Sequence, residues 1–273
     1  MKTDFNWTLL PFAAGGLCFS VLSCIRGGWR GLPLAGMFLL LFLVGVAALA
    51  VLFLLLLFVA GRFTDPPEER RYHPFYQQMV TYVMGLCCAF FRLRIHASGL
   101  EKLPEGRWLL VGNHRSAFDP LVTGWALRWR RLAFVMKPAI QRLPILAPFV
   151  RRAHFLSIDR ENDRAALKTI LEAAALIRED VVSMGIYPEG TRSRTEDLLP
   201  FRNGAFKIAQ KAKAPIVVAE LRGTEQIFRK HYPLRRTEVE LEIRRVLTVE
   251  ELAGKNTTEV GEEVRKCFTF VNT

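Results

Sequence analysis

Residues 108–120 read W-L-L-V-G-N-H-R-S-A-F-D-P. The run 108–112 is short and apolar, which predicts a buried strand. Asp119 precedes Pro120 and a further apolar stretch, and this order predicts a helix start with Asp119 as N-cap and Pro120 in the first turn. His114 then lies in the loop between the strand and the helix. A strand, a polar loop and a helix in succession are typical of α/β proteins.

The alternation of short β-rich runs with helical runs continues along the chain. Helices are predicted at 162–178, 204–213 and 260–270, and further strands at 93–97, 133–136, 154–158, 182–187, 216–219 and 239–246. This pattern predicts an α/β fold whose mixed, mostly parallel sheet is flanked by helices.

Two apolar runs precede this region, at 7–25 and 33–60. The second run has no charged residue, and as a helix with a rise of ~1.5 Å per residue it exceeds the ~30 Å hydrocarbon core of a bilayer. The first run contains Pro11, Gly15 and Gly16 and is followed by Arg26 and Arg30. Either both runs span the membrane or they form a hairpin in one leaflet. We expect an N-terminal membrane-embedded helical segment in both cases.

A polar break, D-P-P-E-E-R-R at 65–71, separates the apolar runs from the α/β pattern. We therefore expect an anchor of two apolar helices at 1–63, a linker with an amphipathic or core helix at 64–91, and a catalytic domain at 92–273. The helix at 75–91 suits a membrane surface and a protein core equally. The distribution of Lys and Arg around the apolar runs predicts that the large domain faces the cytoplasm.

The composition limits the classes of function. Hydrophobic residues make up 51% of the 273 residues, which excludes intrinsic disorder. The net charge of +12 suits nucleic acid, an anionic membrane surface or a phosphorylated substrate. The apolar runs favour the membrane, so we expect no nucleic-acid partner. Five cysteines without a Cys-x-x-Cys spacing predict reduced thiols and no metal site.

Two polar segments carry the candidate chemistry. In the first, the carboxylate of Asp119 can hold His114 in one tautomer, which leaves the other ring nitrogen free to take a proton. In the second, Y-P-E-G-T-R-S at 187–193, a turn can present an arginine, two hydroxyls and backbone N–H groups to a phosphate. The alternatives are a helix-capping Asp119 with an ordinary loop histidine, and a solvated turn.

Together these segments resemble the membrane-associated glycerolipid acyltransferases, the 1-acylglycerol-3-phosphate (lysophosphatidic acid) acyltransferase family. Residues 113–120 match the block N-H-x-S-x-x-D-P, and 187–193 match F-P-E-G-T-R-S with Tyr for Phe. Residues 155–160, F-L-S-I-D-R, approximate the F-I-x-R block without its usual upstream glycine, and 214–218 resemble its proline-led strand. The resemblance covers roughly 92–246.

The resemblance implies transfer of a fatty acyl group from a thioester to the free hydroxyl of lysophosphatidic acid, which gives phosphatidic acid. It implies that His114 is the general base and that Asp119 orients it. It assigns the acceptor site to Glu189, Gly190, Thr191 and Arg192, with Arg160 as a second phosphate ligand, and we expect Lys137 to add positive charge. No cofactor is implied beyond acyl-CoA or acyl carrier protein as donor, and the partners are membrane lipids.

Three other functions stay open at this stage. One is acylation of a different lysophospholipid or lipid acceptor. Another is a serine hydrolase with Ser116 as nucleophile, although the chain has no G-x-S-x-G elbow. The third is a noncatalytic basic protein that binds membranes or nucleic acid, which gives no reason for pairing His114 with Asp119.

Overall fold

The computed structural model describes residues 9–27, 32–62, 70–139, 145–195, 197–227 and 236–269. The predicted linker residues 65–69 lie outside the described residues, as does residue 270 of the last predicted helix. The described helices are α1 (Leu10–Gly27), α2 (Leu32–Arg62), α3 (Pro74–Phe90), α4 (Asp119–Ala126), α5 (Ala147–Arg152), α6 (Asp163–Arg178), α7 (Lys207–Ala212), α8 (Val249–Leu252) and α9 (Thr257–Lys266).

The described strands form one seven-stranded sheet in the order β1-β7-β6-β2-β5-β3-β4. Neighbouring strands are parallel except β6 and β7, which are antiparallel. The prediction of a mixed, mostly parallel sheet is therefore confirmed. The strands are β1 (Leu93–Ser98), β2 (Leu109–Gly112), β3 (Leu132–Met136), β4 (Leu156–Ser157), β5 (Ser183–Ile186), β6 (Ile216–Arg222) and β7 (Thr237–Leu247).

The strand predicted at 154–158 is reduced to the two residues of β4. His154 has a φ of 61°, a left-handed conformation that does not continue a strand. Its buried ring forms a 2.8 Å hydrogen bond from Nε2 to the backbone oxygen of Arg71. The backbone of His154 therefore forms the turn after α5, and its side chain holds the segment that leads into α3.

The helices α1 and α2 lie antiparallel and contact each other through glycines. A Cβ on Gly16 would lie 2.6 Å from Cγ2 of Val46, and one on Gly45 would lie 3.1 Å from Cδ1 of Phe19. Small residues allow two helices to approach closely in an apolar environment, where packing replaces the hydrophobic effect. Large apolar side chains on the remaining faces are exposed, such as Ile25 at 73% and Val51 at 65%.

Among the described residues, the helical stretch Gly36–Val59 is long and apolar enough to cross a membrane. The helix α1 is apolar over Leu10–Ile25, a shorter stretch. The C-terminal end of α2 contacts the α/β core, because Leu57 is only 4% exposed and Gly61 lies against Pro148 and Phe149 of α5. The apolar hairpin is thus in direct contact with the sheet domain.

The helix α3 packs on the α/β core. Its buried residues are Gln77, Val80, Gly85 and Cys88. Gly85 allows close contact with the ring of Trp125 from α4, since a Cβ there would lie 2.6 Å from Cζ3. The sequence left a membrane surface and a protein core open for this helix. The face of α3 that contains its buried residues packs on the protein core, while Phe75 and Phe90 at its ends remain exposed.

Candidate active site

The carboxyl ends of the parallel strands bring the candidate residues together. His114 follows β2, Tyr187 follows β5, Lys137 follows β3, Arg160 follows β4, and Thr224 follows β6. Parallel strands end at the same edge of a sheet, and ligand sites in open α/β folds form at that edge. The topology therefore brings together segments that are up to 110 residues apart in the sequence.

His114 and Asp119 form the hydrogen-bonded pair that the sequence predicted. Nδ1 of His114 lies 2.8 Å from Oδ2 of Asp119. A carboxylate only accepts hydrogen bonds, so Nδ1 carries a proton, and in the neutral tautomer that fits this contact Nε2 has the free lone pair. The side chain of His114 is 16% exposed and that of Asp119 is fully buried. This arrangement orients the imidazole as a general base requires.

The predicted N-cap role of Asp119 is wrong. Helix α4 begins at Asp119, and the N-cap position belongs to Phe118. The Asp119 carboxylate turns back toward the preceding loop, where Oδ2 accepts hydrogen bonds from the backbone N–H groups of Arg115 and Ser116. Oδ1 accepts one from Oγ1 of Thr224 at 2.6 Å. These donors fix the buried carboxylate and offset its loss of water.

Glu189 connects the loops around the site. Its Oε1 accepts a hydrogen bond from the backbone N–H of His114 at 2.6 Å, and Oε2 accepts one from the backbone N–H of Leu199 at 3.0 Å. Burial raises the pKa of Glu189, while these two hydrogen bonds act in the opposite direction. Both oxygens face backbone groups, so Glu189 positions the loop that carries His114, and its predicted contact with the acceptor stays a prediction.

Tyr187 supports the histidine ring from one side. The two rings stack with centroids 4.8 Å apart and an interplanar angle of 23°. The Tyr187 hydroxyl lies 3.3 Å from Oγ1 of Thr123, and burial raises the pKa of Tyr187 well above its usual range. The tyrosine is therefore a neutral aromatic platform, which explains why Tyr can replace the Phe of the matching block.

A cavity of about 830 Å³ adjoins His114. One part of its wall is apolar and includes Leu57 of α2 with Met79, Val83 and Met84 of α3. The other part is cationic: it contains Lys137, Arg160, Arg192, Arg202 and Lys207. An apolar wall next to a cluster of cations suits an amphipathic anion.

Most of the predicted acceptor residues line this cavity. Gly190, Thr191, Arg192, Arg160 and Lys137 are part of its wall, whereas Glu189 is not. Gly190 has a φ of +71°, a conformation that glycine adopts without strain. Arg192 and Thr191 also line a smaller polar cavity of about 340 Å³, together with Arg115, Ser116, Ser193, Arg194 and Glu225.

Sequence reasoning assigned no role to three residues at the site. Thr224 donates to Asp119 across a separation of 105 residues, and no local pattern indicates such a contact. Asn113 holds β2 against β6 through two hydrogen bonds with the backbone of Leu221. Arg202 lies in the cavity wall, and the run P-F-R-N-G at 200–204 gave no sign of its position.

Ser116 does not have the geometry of a nucleophile paired with His114. Its Oγ accepts a hydrogen bond from the backbone N–H of Phe118 at 3.3 Å, and the side chain is buried. The described contacts of the His114 ring are with Asp119 and Tyr187. The serine hydrolase alternative therefore has no structural support at this site.

The chain is similar in sequence to known acyltransferases over the region that contains this site. Residues 94–220 match the family model described as Acyltransferase. A 1-acyl-sn-glycerol-3-phosphate acyltransferase from Limnanthes douglasii is 34% identical over 146 residues, which are 54% of this chain and 51% of the relative. A protein of the same name from Haemophilus influenzae is 31% identical over 134 residues, 49% of this chain and 55% of the relative.

A solved structure has the same fold. The crystal structure of the 1-acyl-sn-glycerophosphate (LPA) acyltransferase from Thermotoga maritima matches with a TM-score of 0.55 and 19% sequence identity, and the match covers 80% of this chain and 95% of that one. The chain spans about half the length of the curated relatives it matches in sequence.

Proposed function

We propose that this chain, whose residues 94–220 match the family model described as Acyltransferase, transfers a fatty acyl group from an acyl thioester to the free hydroxyl of 1-acylglycerol-3-phosphate, giving phosphatidic acid. The observation that carries the proposal is the 2.8 Å contact between His114 and Asp119 beside a cavity with one apolar and one cationic wall. The names of the relatives support lysophosphatidic acid as acceptor.

In this mechanism the acceptor hydroxyl gives its proton to Nε2 of His114 while its oxygen attacks the thioester carbonyl carbon. The resulting tetrahedral intermediate expels the thiolate as the C–S bond breaks, and the imidazolium returns the proton to the thiolate. The Asp119 carboxylate stabilises the imidazolium and keeps its orientation. Base assistance of this kind is worth about 10²–10⁴-fold in rate. The thioester is already activated, so the reaction proceeds without a cofactor and without an acyl-enzyme.

The two walls of the cavity match the two parts of the acceptor. The cations bind the phosphate and thereby fix the glycerol hydroxyl near Nε2, which lowers the barrier through positioning. The apolar wall formed by α2 and α3 accommodates hydrocarbon. Gly190, Thr191, Arg192, Arg160 and Lys137 act as acceptor ligands in this proposal, whereas Glu189 positions the loop that carries His114.

We further propose that residues 1–63 hold the domain at 92–273 on the membrane, with 64–91 connecting them. Since Leu57 of α2 lines the cavity, a lysolipid can pass from the bilayer to the site along the apolar wall. The distribution of Lys and Arg supports a cytoplasmic position of the domain. The donor is then acyl-CoA or acyl carrier protein, both of which are acidic and suit the basic surface.

The test is transfer of a labelled acyl group from each donor to lysophosphatidic acid by the purified protein in detergent. We expect the wild type to form phosphatidic acid and His114→Ala to lose about 10²–10⁴-fold in kcat. The matched control is His96→Ala, which removes a partly exposed histidine on β1 that pairs with Glu238. Equal activity in the wild type and His114→Ala would overturn the mechanism. A wild type that acylates only another lysolipid would overturn the choice of acceptor.

A further inference from the structure

Two arginines in the cavity wall both lie close to Gly190. The position of a Cβ on Gly190 would be 2.9 Å from Nε of Arg202 and 3.6 Å from Nη1 of Arg160. Both side chains therefore approach the same point on the backbone. The glycine leaves the space that allows this approach, and its φ of +71° turns the chain there.

The two guanidinium groups repel each other, and Asp163, a carboxylate in the same cavity wall, forms no ion pair with either of them. Burial lowers the pKa of Arg160, and the nearby charge of Arg202 lowers it further. Among the described residues, no carboxylate lies within ion-pair distance of either guanidinium, and neither group donates a hydrogen bond to another residue. Two adjacent cations repel each other, and an anion bound between them relieves this repulsion.

The loop that carries Arg202 is held in place by the same residues that build the catalytic site. The backbone N–H of Arg202 donates to the oxygen of Pro188 at 2.8 Å, and that of Leu199 donates to Glu189. Glu189 in turn accepts from the backbone of His114. Arg202 is thus at a fixed position relative to the general base, although it is 88 residues away in the sequence.

We propose that Arg202 is a phosphate ligand of the acceptor and forms, with Arg160, a two-arginine clamp across Gly190. The inference rests on the proposed acyltransferase function and adds to it a residue that no motif assigns. Guanidinium groups bind phosphate oxygens through paired hydrogen bonds. Two of them match the two charges of a phosphate monoester, whereas a choline or ethanolamine headgroup would bring an ammonium group toward the remaining cations of the wall.

The test compares Arg202→Gln, Arg202→Lys and the control Arg178→Gln in steady-state kinetics. Arg178 lies at the end of α6, and its side chain is 57% exposed. We expect Arg202→Gln to raise the KM for lysophosphatidic acid by about 10- to 100-fold and to leave the KM for the acyl donor unchanged. Arg202→Lys retains the charge but not the paired hydrogen bonds. Its KM for lysophosphatidic acid should therefore lie between the values of the wild type and Arg202→Gln. Arg178→Gln should match the wild type.

A second measurement separates this proposal from the proposed function. Glycerol 3-phosphate has the acceptor's phosphate and no acyl chain, and its binding to His114→Ala is measured by calorimetry without turnover. We expect the additional change Arg202→Gln to weaken this binding by a similar factor.

Unchanged binding and unchanged acceptor KM in a folded Arg202→Gln variant would overturn the clamp. An equal rise in donor and acceptor KM would overturn it too. A wild type without acyl transfer to lysophosphatidic acid would refute the proposed function, while the calorimetry would still decide on the clamp.

Discussion

The Asp119 side chain accepts four hydrogen bonds and is fully buried. An asparagine in its place can turn its oxygen toward the three donors at Oδ2 and its amide nitrogen toward the hydroxyl of Thr224, which can accept. The geometry is then preserved and the negative charge is lost. Asp119→Asn therefore separates the electrostatic role of Asp119 from its structural role.

We expect Asp119→Asn to lower kcat by about 10²–10⁴-fold with little change in Tm, because the imidazolium loses its counter-ion. The measurement is kcat for phosphatidic acid formation together with thermal unfolding in detergent. Asp180→Asn is the control, since that side chain is 68% exposed and pairs with Arg107 away from the site. Wild-type kcat in Asp119→Asn would show that Asp119 only supports the loop.

Glu189 provides a prediction for the pH dependence of stability. Burial raises its pKa, so the folded protein binds this proton more tightly than the unfolded chain, whose Glu has a pKa of about 4.3. The resulting stability is fully present below about pH 4.3 and is lost as the pH rises through the raised pKa. We therefore expect the Tm of the wild type to fall relative to that of Glu189→Gln over this interval. A Tm difference between the wild type and Glu189→Gln that is constant with pH would contradict a raised pKa of Glu189 in the folded protein.

At the scale of elements, the contact between α1 and α2 depends on the absence of side chains at glycines. A Cβ on Gly16 would lie 2.6 Å from Val46 and 3.0 Å from the backbone oxygen of Phe42, whereas one on Gly36 would meet nothing within 4 Å. Both positions lie on the same helical hairpin. The two glycines form a matched pair in which only one is expected to be sensitive to substitution.

Gly16→Val should force α1 away from α2 and destabilise the hairpin by about 1–3 kcal/mol, as overpacking of a close contact does. Gly36→Val should have little effect. Thermal unfolding of both variants in the same detergent measures the difference. Equal Tm values for the two variants would contradict the observed packing of the hairpin.

At the scale of the whole molecule, the pattern of apolar runs was sufficient to predict the α/β class, because buried parallel strands are short continuous apolar runs and amphipathic helices have a period of about 3.6 residues. The pairing of His114 with Asp119 was also predictable, since the two residues are only five positions apart in the sequence. Thr224 and Arg202 were not, because their contacts depend on which strands are neighbours in the sheet. The capping role of Asp119 was predicted wrongly because its carboxylate turns toward the loop before the helix, where it accepts hydrogen bonds from His114, Arg115 and Ser116.

The central claim is that His114 acts as a base for direct acyl transfer beside the membrane anchor. Rapid quenching of the wild type and His114→Ala, mixed with labelled acyl-CoA and lysophosphatidic acid, tests it most directly. We expect the label to pass in a single phase from donor to phosphatidic acid in the wild type, with none bound to protein and about 10²–10⁴-fold slower transfer in the variant. Stoichiometric label on the protein before product forms would contradict this mechanism, and so would equal rates in the two proteins.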